Sequence, residues 1–137
     1  MLNLDFVLLL LLSYLTGAFP SSYLLGKFFY NIDIRKFGSG NVGATNTFRI
    51  LGKIPGSIVL IIDVFKGWIV VNFIHVFESD VFLEINNPEL IFEFQLLLGI
   101  TAILGHIFPI YINFNGGKGI ATILGVLIAL NLTAALY

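Results

Sequence analysis

Residues 54–77 read Ile54-Pro-Gly-Ser-Ile-Val-Leu-Ile-Ile-Asp63-Val-Phe-Lys66-Gly67-Trp-Ile-Val-Val-Asn-Phe-Ile-His75-Val-Phe77. An apolar run of this length suits a helix that crosses a bilayer, which needs about 20 residues. Its two internal charges, Asp63 and Lys66, lie three apart and so share one helix face. Each costs about 2.5–3.5 kcal/mol at mid-bilayer, so they must face protein, water or each other. Two readings follow. In one, the charges form a self-neutralising pair that fixes helix packing, with Lys66 snorkelling toward the inner face. In the other, they wall a polar site, and Gly67 lets a neighbouring helix approach.

The rest of the chain agrees with a membrane setting. Of 137 residues, 58% are hydrophobic and 11% charged, against roughly 25% charged in soluble domains. So little charge excludes a disordered chain. A net charge of −1 offers nothing to nucleic acid, and the lack of cysteine excludes a disulfide scaffold or zinc module. At about 20 residues per span, there is room for about four spans.

Three further apolar stretches supply them: residues 4–26, 90–111 and 120–137. Pro20 should kink the first. Met1-Leu-Asn-Leu-Asp5 lacks the basic start of a secretory signal, which predicts a retained helix. The last stretch reaches Tyr137 without a polar cap or charged flank, which predicts a chain cut within its fourth span. These runs are continuous and lack the two-residue alternation of a barrel strand. With no internal repeat or linker, the expectation is an all-α polytopic membrane protein forming one domain over residues 1–137.

Loop charges set the expected orientation. Lys27, Arg35, Lys36, Arg49 and Lys53 lie between the first two spans with Asp33 the only acid, whereas Glu78, Asp80, Glu84 and Glu89 lie between the second and third. Basic loops stay in the cytoplasm. The first loop and the third, with Lys118, are then inside and the N-terminus outside.

Two glycine-rich loops therefore share the cytoplasmic face. One reads Phe37-Gly38-Ser39-Gly40-Asn41-Val-Gly43-Ala-Thr45-Asn46-Thr-Phe-Arg49; the other reads Gly105-His106-Ile-Phe-Pro109, then Phe114-Asn-Gly116-Gly117-Lys118-Gly119. Glycines let backbone N–H groups face a ligand, and a following helix adds the positive end of its dipole. Ser39, Asn41, Thr45 and Asn46 add neutral hydrogen-bonding groups, Arg49 a planar fork for phosphate oxygens, and Lys118 a mobile point charge. A bare helix–helix turn needs only about two to five residues.

Two nucleotide-like patterns fail. Gly38-Ser-Gly40-Asn-Val-Gly43 fits G-x-G-x-x-G with Asp63 twenty residues on, but that fingerprint requires a soluble βαβ unit. Gly116-Gly-Lys118 lacks the first glycine of a Walker A loop, with Ile112 in its place, and has Gly119 where magnesium needs Ser or Thr. His106 lies about 24 Å along the helix from Leu90 at 1.5 Å per residue, near the inner boundary. It suits general-base work, anion binding or capping of the last carbonyls. His75 falls at the outer end and reads as structural.

Gly38-Ser-Gly-Asn-Val-Gly-Ala-Thr-Asn46 with Arg49, Asp63-Val-Phe-Lys-Gly67, and Gly105-His-Ile-Phe-Pro109 with Gly116-Gly-Lys-Gly-Ile-Ala-Thr122 together resemble the PlsY family of bacterial acyl-phosphate glycerol-3-phosphate acyltransferases. The resemblance implies an inner-membrane enzyme with a cytoplasmic site. Its reaction would move a fatty acyl group from acyl phosphate to the 1-hydroxyl of glycerol 3-phosphate, giving lysophosphatidic acid and phosphate. It implies no cofactor and no metal. The implied partners are the two substrates and the bilayer, with other enzymes of phospholipid synthesis nearby and no nucleic acid. The resemblance implies complete members with about seven helices of about 20 residues plus connections, about 200 residues in all, so these 137 residues are expected to be about two-thirds of the enzyme and inactive alone.

On this reading Ser39, Arg49, His106 and Lys118 are the expected catalytic residues. Gly38, Gly40, Asn41, Gly43, Thr45, Asn46, Asp63, Lys66, Gly67, Gly116, Gly117 and Gly119 are the expected substrate-binding set. Amides of residues 39–43 would hold the acyl phosphate with Thr45 and Asn46, while Arg49 and Lys118 would stabilise charge as phosphate leaves. His106 or the departing phosphate would take the hydroxyl proton. Neither a covalent acyl-enzyme nor a Ser-His-acid arrangement is called for. An anion transporter and a non-catalytic membrane subunit are the competing classes.

Overall fold

A computed structural model describes residues 4–76 and 87–131. Among the described residues there are helices and no strands. In chain order they are α1 (Leu4–Ala18), α2 (Ser21–Phe29), a 3-10 turn (Ile34–Lys36), α3 (Ala44–Leu51) and α4 (Lys53–Val71), then the short α5 (Phe73–Val76). Beyond residue 87 come α6 (Pro88–Ile107), a second 3-10 turn (Ile110–Ile112) and α7 (Ile120–Leu130).

The expected first span is a broken one. Pro20 has no N–H to give the preceding turn, so α1 stops at Ala18 and α2 restarts at Ser21, bent by 43°. The second span is α4, closed at Asn72 one short turn before α5; its expected end at Phe77 lies outside the described residues. The third is α6, which starts at Pro88 in the first helical turn, with Asn87 Oδ1 accepting from the Glu89 amide at 3.0 Å. It ends where Pro109 follows, and the Tyr14 hydroxyl of α1 donates to the Phe108 carbonyl at 2.6 Å.

By length and apolarity α4 and α6 can each cross a bilayer, and α1 with α2 can do so as one bent span. The expected fourth span begins, as expected, at Ile120, but α7 describes only 11 residues of it, about 16 Å of rise. The expected acids Glu78, Asp80 and Glu84 lie outside the described residues, as does the end of the fourth span at 132–137.

In lipid, helix association rests on close packing and small residues rather than on escape from water. Gly17 faces the Ala102 backbone and Gly105 faces Tyr14 and Ala18, which joins α1 to α6. Gly67 faces the Thr122 carbonyl and Gly125 the Val64 carbonyl, which joins α4 to α7. A Cβ at any of the four would strike backbone. Inside, Leu9, Val70, Ile74, Phe94, Leu98 and Ala102 form the main buried cluster, with Phe6 stacked on Phe94 at 3.9 Å. A second cluster of Ile34, Val42 and Ile112 supports the two glycine-rich loops. Large apolar side chains such as Ile54, Ile61 and Ile100 point outward, as lipid-facing residues do.

Candidate functional site

The first loop is folded by its own side chains. Asp33 caps the 3-10 turn by accepting from the Arg35 amide, and takes Nε and Nη2 of the Arg35 fork at 2.9 and 2.7 Å. These Arg35 hydrogen bonds hold the Asp33 carboxyl down at about 2. Arg35 also sits over the Tyr23 ring, and Lys27 donates to the Tyr23 hydroxyl at 3.1 Å. Both cations are therefore engaged within the loop.

Asn46 holds the turn that follows. It is buried, its Oδ1 accepts from the Ser39 amide at 3.0 Å, and its Nδ2 donates to the Phe37 and Ile34 carbonyls. Gly38 and Gly40 take positive φ of 59° and 72°, which only glycine adopts cheaply. Of the amides at 39–43, those of Ser39, Gly40 and Val42 are spent on Asn46, Phe37 and Gly116 respectively. Donors toward a ligand thus narrow to Asn41, Gly43 and the first turn of α3, whose amides have no helical carbonyl to meet. The Val42–Gly116 bond also ties the two glycine loops together.

The second loop folds back on the end of α6. Gly116 and Gly117 donate to the carbonyls of Ile107 and His106 at 3.2 and 3.1 Å. A side chain on Gly117 would strike His106 Nε2, so glycine there leaves the imidazole its place. Gly119, at φ 77°, starts α7.

Between the loops lies a cavity of about 510 Å³. Ser39, Asn41, Gly43, Thr45 and Arg49 line it from the first loop and α3, and Lys118 and Gly119 from the second. Asp63 and His106 line it from α4 and α6, and Leu60, Ile120 and Leu124 supply an apolar wall between α4 and α7. The N-termini of α3 and α7 both border this cavity, so two positive dipole ends meet the same space. Among the described residues, the side chains of Arg49 and Lys118 have no ion pair or hydrogen bond. Another large recess, about 570 Å³ between α2 and α4, is lined almost wholly by apolar residues and holds no charged group.

Nine of the expected site residues thus share one cavity. The others stand behind it: Gly38, Gly40 and Asn46 shape the first loop, Gly116 and Gly117 the second, and Gly67 the α4–α7 contact. Lys66 turns away from the cavity. It pairs with Asp63 Oδ1 at 2.9 Å and donates to the Phe19 carbonyl at 3.1 Å. The pair is thus self-neutralising, and of its two members only Asp63 walls the cavity; Lys66, expected among the substrate-binding residues, is instead spent on Asp63 and the Phe19 carbonyl. Sequence reasoning missed Ser21, whose hydroxyl donates to Asp63 Oδ1 at 2.7 Å. The available signal was a pair of serines placed directly after a helix-breaking proline.

Fold and cavity define an all-helical protein with helices apolar enough to cross a membrane and a cavity between them that carries Arg49 and Lys118. The family described as glycerol-3-phosphate acyltransferase matches residues 7–137. The chain belongs to that family. It is 49% identical to the glycerol-3-phosphate acyltransferase of Staphylococcus saprophyticus over 128 residues, covering 91% of this chain and 60% of the relative. Against that of Staphylococcus aureus strain Newman the identity is 47%, with the same coverage. Among solved structures it is similar to PlsY (YgiH), an integral membrane glycerol 3-phosphate acyltransferase, in its glycerol 3-phosphate form, with TM-score 0.81 and 33% identity. For the lysophosphatidic acid form of PlsY the values are 0.75 and 32%; each comparison covers 96% of this chain and 60% of the other. The chain spans 60% of the length of the curated relatives it matches.

Proposed function

We propose that this chain carries the substrate-binding core of an acyltransferase that uses acyl phosphate to acylate the 1-hydroxyl of glycerol 3-phosphate. The observation that carries the reading is the pairing of Arg49 with Lys118. Both are unneutralised cations on one cavity, bordered by two helix N-termini, at the end of a membrane helix bundle. Both substrates bear phosphate, and one bears a fatty tail. The apolar wall of Leu60, Ile120 and Leu124 on the same cavity suits that tail.

In the reaction, the hydroxyl oxygen attacks the acyl carbonyl carbon, the carbon–oxygen bond to phosphate breaks, and phosphate leaves with the electron pair. Arg49, Lys118 and the first-turn amides of α3 and α7 stabilise the charge that grows on the carbonyl and leaving oxygens. Ser39 and Thr45 add hydroxyl contacts at the cavity wall. The hydroxyl proton has two acceptors in reach of such a geometry, the His106 imidazole and the departing phosphate. The product is lysophosphatidic acid, an input to further acylating enzymes of phospholipid synthesis.

The excess of Lys and Arg between the first two spans supports a cytoplasmic cavity in a bacterial inner membrane, with the N-terminus outside. Phosphate release from palmitoyl phosphate, measured with and without glycerol 3-phosphate in the full-length protein, tests the reading. Release that depends on both substrates is expected, and Arg49→Ala or Lys118→Ala at the unaltered rate would refute the phosphate assignment.

A further inference from the structure

The break in the first span and the charged pair of α4 fit each other at two points. Lys66 Nζ donates to the Phe19 carbonyl at 3.1 Å, on one side of Pro20, and Asp63 Oδ1 accepts from Ser21 Oγ at 2.7 Å, on the other. The same carboxylate oxygen lies 2.9 Å from Lys66 Nζ and 3.8 Å from Nδ1 of His106. One atom thus gathers groups from α2, α4 and α6. All four side chains are buried, at 7% exposure or less.

We propose that Ser21 is a positioning residue for His106, fixing the rotation of the Asp63 carboxylate that faces the imidazole. Charge balance does not require the hydroxyl, because Lys66 already neutralises Asp63. Nor is this the usual resting place of a hydroxyl in a membrane helix. Ser13 and Thr101 each donate to the carbonyl four residues back in their own helix, whereas Ser21, like Ser22 with Thr47, bonds across to another helix, and Ser21 alone of these reaches a carboxylate. Nδ1 of His106, at 3.8 Å, is beyond hydrogen-bond reach of Asp63 Oδ1, so a carboxylate held from the Ser21 side acts on the imidazole through its charge, which favours the tautomer with the proton on Nδ1. That tautomer leaves the lone pair on Nε2, the nitrogen beside Gly117.

The proposal rests on the acyl-transfer reading of the cavity, so its test has one arm that needs no turnover. In the full-length protein in lipid bilayers, labelled with 15N-histidine and with the His106 signals assigned by their loss in His106→Ala, Ser21→Ala should shift the imidazole 15N resonances of His106, and Ser21→Thr should return them. Unchanged resonances in Ser21→Ala overturn the proposal whatever the protein catalyses. In the kinetic arm, Ser21→Ala should lower kcat by about tenfold or more while KM for glycerol 3-phosphate stays within about twofold. The same change made on top of His106→Ala should cost nothing further, and an equal loss in both backgrounds overturns it. Should Ser21→Ala fail to assemble, Ser21→Cys keeps the volume, loses the strong donor and carries the same comparisons.

Discussion

Asp63 and Lys66, one helical turn apart in α4, form an ion pair of 2.9 Å whose two members serve different neighbours. Lys66 donates to the Phe19 carbonyl at the helix break, which also accepts from the Ser21 amide, and Asp63 faces the cavity. Removing one member leaves the other charged and buried, which costs about 3–5 kcal/mol in buried pairs. Asp63→Asn and Lys66→Met should each lower the thermal midpoint in detergent strongly, and the double variant should recover much of the loss. Activity should not recover with it, because the double variant still lacks the cavity-facing carboxylate.

Arg49 and Lys118 should behave in the opposite way. Neither has a partner to abandon among the described residues, so Arg49→Ala and Lys118→Ala should change stability by no more than about 0.5 kcal/mol. Each should cut acyl transfer by roughly 100- to 1,000-fold, the scale seen when a charge-stabilising donor is removed. Arg35→Ala is the contrast, since Arg35 is occupied by Asp33 and Tyr23 and should weaken the loop more than the chemistry.

Two glycines separate fold from ligand. A Cβ on Gly117 meets His106 Nε2 and the Val42 carbonyl, so Gly117→Ala should disturb both loops and lower stability and activity together. At Gly43 the backbone is extended, at φ −163°, and a Cβ meets nothing within 4 Å. Gly43→Ala should cost less than about 1 kcal/mol in stability yet raise KM, because the added methyl enters the cavity. Parallel thermal melts and substrate titrations of the two variants check this.

The Asp33–Arg35 clasp gives a pH signature for the first loop. Its carboxyl is held at about 2 against an ordinary value of 3.8. A depressed acid contributes stability that is complete above the ordinary value and fades as pH falls through the folded one. Hydrogen-exchange protection of the Arg35 amide, corrected for intrinsic rate, should therefore be level above about pH 4 and decline toward pH 2. Asp33→Asn should lower it throughout.

Much of this was legible in the sequence, because membrane spans and helix breaks leave strong local marks. Pro20 announced the bend, the apolar runs announced the spans, and the glycine loops announced where Arg49 and Lys118 would gather. Tertiary bonds were less visible. That Asn46 braces its loop rather than facing the cavity depends on the fold of the Ser39 turn. The spent amides of Ser39, Gly40 and Val42 depend on contacts that include Gly116 of the second loop, far along the chain. The inward turn of Ser21 depends on the angle at Pro20, which a sequence marks as a break without giving its direction.

The central claim is that one cavity holds acyl phosphate and glycerol 3-phosphate together, with Arg49 and Lys118 as its phosphate cations. The most direct measurement is phosphate release from palmitoyl phosphate by the full-length protein in liposomes, followed with the appearance of lysophosphatidic acid. One phosphate released per lysophosphatidic acid formed, only when glycerol 3-phosphate is present and lost in Arg49→Ala, is the expected result. Release that ignores glycerol 3-phosphate, or full turnover in Arg49→Ala and Lys118→Ala, would contradict the account.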